Sequence, residues 1–157
     1  MCYNLPGGYL RYNPVMIACS MEGPIQWHSG YSVGVQVIDE QHQHMIEIIN
    51  TLFRELEATT TEIDLSQFFK DAVNYGEYHF QTEETFFSRF DYPEKNLHLS
   101  LHQAYKKNLN SLLLKEGDSH LRSRELLTFL EDWWIEHITG IDQTLGKLPE
   151  SVQKETA

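Results

Sequence analysis

DEQHQHMIEIINTLFRELE, residues 39–57, sets its apolar side chains three and four positions apart. His42, Met45, Ile46, Ile49, Leu52, Phe53 and Leu56 form one stripe of an amphipathic helix, with the charges on the opposite face. Asp39 stands where an N-cap belongs, and the run Thr59–Thr61 closes the helix. A histidine inside the stripe is unusual, because a buried polar group costs free energy unless something pairs with it.

The same rhythm recurs three times downstream. A second helix is predicted from about Leu65 to Phe90, with Phe68, Phe69, Ala72, Val73, Tyr75, Phe80, Phe86 and Phe87 on its stripe. The Asp91–Tyr92–Pro93 turn stops it. A third runs from about Pro93 to Lys115 with Leu97, Leu101, Tyr105, Leu109, Leu112 and Leu113, and ends at Gly117–Asp118. A fourth runs from Ser119 to about Lys147 with Leu121, Leu126, Leu127, Leu130, Trp133, Trp134, Ile138, Ile141 and Leu145. Four long helices joined by short turns imply an all-α, antiparallel up-down-up-down four-helix bundle. Upstream, residues 25–38 read as an ordered arm with a short extended stretch, packing Trp27, Tyr31, Val33, Val35 and Val37 on the bundle.

Residues 1–24 differ in kind. Pro6, Gly7, Gly8, Pro14, Gly23 and Pro24 break any periodicity, and the order of regions in a signal peptide is missing. Met16 and Met21 precede the domain closely, so the segment reads as a disordered extension or an over-extended start. The predicted division is 1–24 extension, 25–148 helical domain and 149–157 tail.

The 157 residues suffice for one domain with a real core, and 41% of them are hydrophobic. Asp plus Glu is 23 against 12 Lys plus Arg, a net charge of -11. That charge repels phosphate backbones and anionic lipid, so neither a nucleic-acid nor a membrane partner is expected. No apolar run approaches the roughly 20 residues of a membrane helix. The only cysteines, Cys2 and Cys19, precede the domain, leaving it neither a disulfide framework nor a Cys-zinc site. A reducing, cytoplasmic setting fits.

Each helix carries further polar groups within or beside its stripe. His42 is on the first, His79 and Glu83 on the second, His98 and His102 on the third, and His137 and Asp142 on the fourth. Residues four apart share a helical face, so His79/Glu83 and His98/His102 each present two ligands in one direction. Singly, such pairs are more often satisfied core residues or part of a solvated face. Together they bring a candidate from every helix, and burying that many ionisable groups unpaired would cost several kcal/mol each. A metal cluster removes the cost: carboxylates can bridge two ions, and imidazole suits iron, copper and zinc. His137 and Asp142 lie roughly 140° apart on an ideal helix, so they converge only if the helix distorts, which Gly140 would ease. His28, His44 and His120 are assigned to the surface.

WHSGYSVGVQVIDEQHQHMIEIIN (27–50), YHFQTEE (78–84), YPEKNLHLSLH (92–102) and WWIEHITGID (133–142) resemble the signatures of the hemerythrin family, in its single-domain bacterial type. The resemblance covers about residues 25–148. It implies a non-haem di-iron centre that binds O2 reversibly. His98, His102 and His137 would hold one iron and His42 and His79 the other. Glu83, Asp142 and a solvent-derived oxygen would bridge them, leaving one position open on the two-histidine iron. Departures from the family pattern fall around that position: Trp134 and Met45 stand where leucine is usual, and Phe87 where methionine is. With Ile138 they are the candidate O2-pocket residues. Ferritin-like di-iron bundles use four carboxylates and two histidines, whereas two carboxylates and five histidines here favour reversible binding over O–O cleavage.

The expected role is therefore oxygen storage, delivery or buffering, without enzymatic turnover. Two other classes remain open. One is a redox enzyme acting on peroxide, nitric oxide or ferrous iron, or an O2 or redox sensor working through a partner protein. The other is a zinc-loaded structural bundle. O2 is the expected ligand, and an O2-consuming or redox partner is the expected protein contact.

Overall fold

The computed structural model describes residues 23–58, 64–89 and 91–147. Four helices follow one another: α1 Gln36–Ala58, α2 Leu65–Arg89, α3 Lys95–Leu113 and α4 Ser119–Thr139. Each packs on its two sequence neighbours and α1 closes on α4, so the four form a ring around one axis. A 3-10 turn, Ser29–Tyr31, precedes the bundle, and a 3-10 helix, Ile141–Lys147, follows it. The bundle is all-α, as the periodicity predicts, and no strand occurs among the described residues. No helix among them is long and apolar enough to cross a membrane. Cys2, Cys19, the predicted helix end at Thr59–Thr61, Phe90 and the tail 149–157 lie outside the described residues. So does nearly all of the 1–24 extension.

Several boundaries differ from the sequence expectation. α1 starts at Gln36, three residues before Asp39, because the Ile38 and Asp39 amides already donate to the Val35 carbonyl. Asp39 caps the arm instead: its carboxylate accepts from the Ser32 hydroxyl at 2.6 Å and the Val33 amide at 2.8 Å. α2 is started by Asp64, whose carboxylate accepts from the Ser66 amide at 2.9 Å. α3 is shorter than predicted at both ends, and its inward stripe is His98, His102, Tyr105 and Leu109. Leu97 and Leu113, assigned to that stripe from sequence, lie at its edge and are exposed, as is Leu121 on α4. The fourth helix is not continuous to Lys147. It breaks at Gly140, whose φ of -103° and ψ of -98° end the α-helical ladder.

The arm is clasped to the bundle. Asn50 accepts from the Ile25 amide at 2.7 Å and donates back to the Ile25 carbonyl at 2.9 Å. Trp27 and Tyr31 pack on the main core, and Val33 and Val35 are buried.

The apolar interior falls into two clusters. The larger holds Met45, Ile46, Ile49, Phe80, Tyr105, Leu130, Trp134 and Ile138, among others. The smaller joins Val33, Val35, Ile38, Phe86, Phe87, Tyr92 and Leu145. On α1, His42 lies between Ile38 of one cluster and Met45 of the other. Glu83 lies between Phe80 and Phe86, His98 and His102 between Tyr92 and Tyr105, and Asp142 between Ile138 and Leu145. A polar layer thus divides the core on every element that crosses it.

Candidate metal centre

Residues of that layer are almost wholly shielded from solvent: His42, His79, Glu83, His98 and Asp142 are at 0%, His102 at 1% and His137 at 4%. All seven positions singled out in the sequence meet there. Their inward atoms form two groups, Glu83 with His98, His102 and His137, and His42 and His79 with Glu83 and Asp142. Within each group the ligand atoms lie within 4.8 Å of one another.

The two carboxylates divide their oxygens between the groups. Glu83 Oε1 faces His79 Nε2 at 3.5 Å, while its Oε2 faces His98 Nε2 at 3.3 Å and His102 Nε2 at 3.0 Å. Asp142 Oδ2 faces His42 Nε2 at 3.2 Å, while its Oδ1 faces the Nε2 atoms of His98 and His137, both at 3.1 Å. Asp142 reaches this position because the chain breaks at Gly140 and tightens into the 3-10 helix. A Cβ at Gly140 would lie 2.6 Å from the Glu136 carbonyl oxygen.

This arrangement is costly as protein alone. His42 Nε2, His79 Nε2, His102 Nε2 and all four carboxylate oxygens are buried without a well-formed hydrogen bond. The Nε2 atoms of His98 and His137 approach to 3.0 Å, two ring nitrogens converging on one space. Acceptors and lone pairs aimed at a common interior point are what a cation supplies a partner for.

The titration behaviour has the same origin. Burial pulls the His79 imidazole down to about 3, against the opposing charge of Glu83. Burial also lowers His137, with Asp142 opposing. Burial would lower His98 as well, but the facing carboxylates of Asp142 and Glu83 outweigh it and push the ring up to about 9. For Glu83, burial and the Asp142 charge act upward, and the surrounding histidines overcome them to bring it down to about 2. Asp142 is held well below the carboxylate range by His137, His42 and His98, despite its burial. Two anionic carboxylates in a dry layer thus demand positive charge, from protons or from metal.

The outward edges of the rings are held by residues whose roles sequence spacing does not reveal. His79 Nδ1 donates to Gln41 Oε1 at 3.0 Å, Gln41 Nε2 donates to the Thr82 hydroxyl at 3.0 Å, and that hydroxyl donates to the Tyr78 carbonyl. His98 Nδ1 meets the Tyr92 hydroxyl at 3.1 Å, Tyr92 reaches Thr144 at 2.5 Å, and Thr144 donates to the Ile141 carbonyl. His102 Nδ1 donates to Glu84 Oε1 at 3.1 Å. Each contact engages the outward Nδ1 and leaves Nε2 facing inward, the nitrogen that would meet a metal. Ring faces are held too, His102 by Phe80 at 3.9 Å and His137 by Trp133 at 4.2 Å, both nearly parallel.

The four pocket candidates are all buried. Trp134 lies against the two-histidine side, its ring 5.1 Å from His79 and 6.4 Å from His42. Met45 and Ile138 belong to the same apolar cluster as Trp134. Phe87 lies on the other side, 4.6 Å from His98. Of the histidines assigned to the surface, His28 and His44 are exposed and His120 is half-buried at the start of α4.

The family model for the Hemerythrin HHE cation binding domain matches residues 33–148. A Bacteriohemerythrin of Stenotrophomonas maltophilia is 29% identical over 117 residues, covering 74% of this chain and 76% of that protein. A Bacteriohemerythrin of Clostridium acetobutylicum is 28% identical over 123 residues, 74% of this chain and 95% of its own. A Hemerythrin-like protein of Naegleria gruberi is 24% identical over 127 residues, 80% of this chain and 94% of its own.

Proposed function

The chain belongs to the hemerythrin HHE cation-binding family, and from that premise we propose that it binds O2 reversibly at two non-haem iron ions. Its role is oxygen storage, delivery or buffering in the cytoplasm. The observation that carries this reading is the division of each carboxylate between two histidine groups. His98, His102 and His137 would hold one iron, His42 and His79 the other, with Glu83 and Asp142 shared. Bound ferrous iron would supply the electrons and the coordination position that O2 requires.

The protein's own contribution is asymmetry and dryness. One side offers three imidazoles and the other two, so the His42/His79 side would leave a coordination position for a small ligand. Trp134 walls that side, and Met45 and Ile138 share its buried apolar cluster. A wall of this kind keeps water and protons from a bound ligand, which favours release over reduction. Five imidazoles against two carboxylates also stabilise high oxidation states less than the carboxylate-rich set of ferritin-like bundles. The reading is thus a binding protein and not an enzyme.

Iron-loaded, reduced protein carried through cycles of O2 and argon tests it by visible absorption. The expected result is a band that appears with O2 and vanishes under argon over repeated cycles. A single irreversible conversion to the oxidised protein would overturn reversible binding and indicate a redox enzyme.

A further inference from the structure

The rings with a bonded Nδ1 are held by three different chemistries. His79 has an amide carbonyl (Gln41), His98 a phenol hydroxyl (Tyr92) and His102 a carboxylate (Glu84). His42 Nδ1, on the two-histidine side, is buried with no hydrogen-bond partner among the described residues. A neutral acceptor fixes which nitrogen carries the proton. A carboxylate does that and also draws the proton towards itself, leaving more negative charge on the ring and a more basic Nε2.

We propose that Glu84 is a positioning residue that makes the three-histidine side the tighter and more electron-rich half of the centre. Metal enters that half first, and its iron holds the ferric state more firmly than its neighbour does. The proposal rests on the metal reading above and deepens it. Glu83 and Glu84 are consecutive on α2 and point about 100° apart, one into the layer and the other towards α3. The Glu84 side chain is 40% exposed, so it keeps contact with water while its Oε1 reaches a ring that is 1% exposed. Phe80 already fixes the plane of the His102 ring. What Glu84 adds is therefore chiefly charge, and it lies on the three-histidine side alone.

Glu84→Gln separates charge from shape, because its amide oxygen still accepts from His102 Nδ1. Metal-free full-length protein is titrated anaerobically with Co2+, followed by the visible bands of the bound ion, with far-UV circular dichroism as a check on the fold. The wild type should fill in two steps. Glu84→Gln should weaken the tighter step about tenfold, leave the weaker step in place, and move the midpoint potential of iron-loaded protein to more positive values. Glu77→Gln, which removes an exposed α2 carboxylate that pairs with Lys106, should titrate as the wild type does. Wild-type affinity in Glu84→Gln, or equal weakening of both steps, would overturn the proposal while leaving the centre intact. A wild-type protein that takes up no Co2+ in the buried layer would overturn the metal reading itself.

Discussion

Trp134 is the bulkiest of the fully buried side chains, and it lies beside the two-histidine side of the centre. It also stacks on Phe80. Its indole N–H is buried without a hydrogen-bond partner among the described residues, so the ring fills volume more than it donates. Trp134→Leu opens space next to His42 and His79 at a stability cost on the order of 1–3 kcal/mol. Autoxidation of the oxygenated form, followed by loss of its visible band, should become faster. A rate equal to that of the wild type would remove Trp134 from the account. At this scale the pairs His79/Glu83 and His98/His102 were legible from helical periodicity, which places residues four apart on one face, whereas His42, His137 and Asp142 stood out through a polar group on each helix's stripe and the family resemblance. Gln41, Glu84 and Tyr92 were not legible, although Gln41 and Glu84 each adjoin a ligand in sequence. Their partners lie 38, 18 and 6 residues away, and two of those three pairings join different helices. Spacing along one helix carries no record of such contacts.

The element that decides whether the site closes is the chain after α4. The sequence predicts a helix to about Lys147 with His137 and Asp142 roughly 140° apart, converging only through a distortion that Gly140 would ease. The structure solves this with a break at Gly140 and a tighter 3-10 turn, which brings Asp142 back beside His137. The same 3-10 helix presses on the arm so closely that a Cβ at Gly146 would lie 2.2 Å from the Val33 carbonyl oxygen. Gly146→Ala should therefore cost about 1–3 kcal/mol through overpacking and weaken metal retention by displacing Asp142. Thermal unfolding with metal analysis would detect both, and a variant with normal melting and metal content would refute the contact's importance. α4 carries another testable group away from the centre. Burial, aided by the charge of Asp132, pushes the Glu131 carboxyl up to about 7 from an ordinary 4.5. A raised carboxyl stabilises the fold fully below its unfolded value and loses that contribution as pH rises through its folded value. Glu131→Gln should thus gain on the wild type as pH rises from about 4.5 to 7. Melting temperatures that differ by a constant amount across that range would contradict the shift.

At the scale of the whole molecule, the four-helix ring was legible because each stripe follows a single period and the turns between helices are short. The helix ends were less so. They depend on groups such as Asp39, which caps the arm, and on which edge of a stripe faces out, as Leu97 and Leu113 do on α3. Nor does the sequence display the division of the core into two apolar clusters with a polar layer between them. That division ties stability to metal: without ions, the layer leaves buried carboxylates and imidazoles poorly paired in the middle of the bundle. Binding that is native-state specific adds about 4 kcal/mol when free metal is 1,000 times Kd, which for a domain of this size corresponds to a melting shift on the order of 10 °C. Chelation should lower the melting temperature by roughly that amount, and apo protein as stable as the loaded form would argue against a core site.

Crystals of iron-loaded protein, with diffraction collected on either side of the iron absorption edge, test the shared centre most directly. Two anomalous peaks are expected inside the bundle, one among His98, His102 and His137 and one beside His42 and His79, with Glu83 and Asp142 reaching both. One peak alone, or iron bound only outside the polar layer, would contradict it.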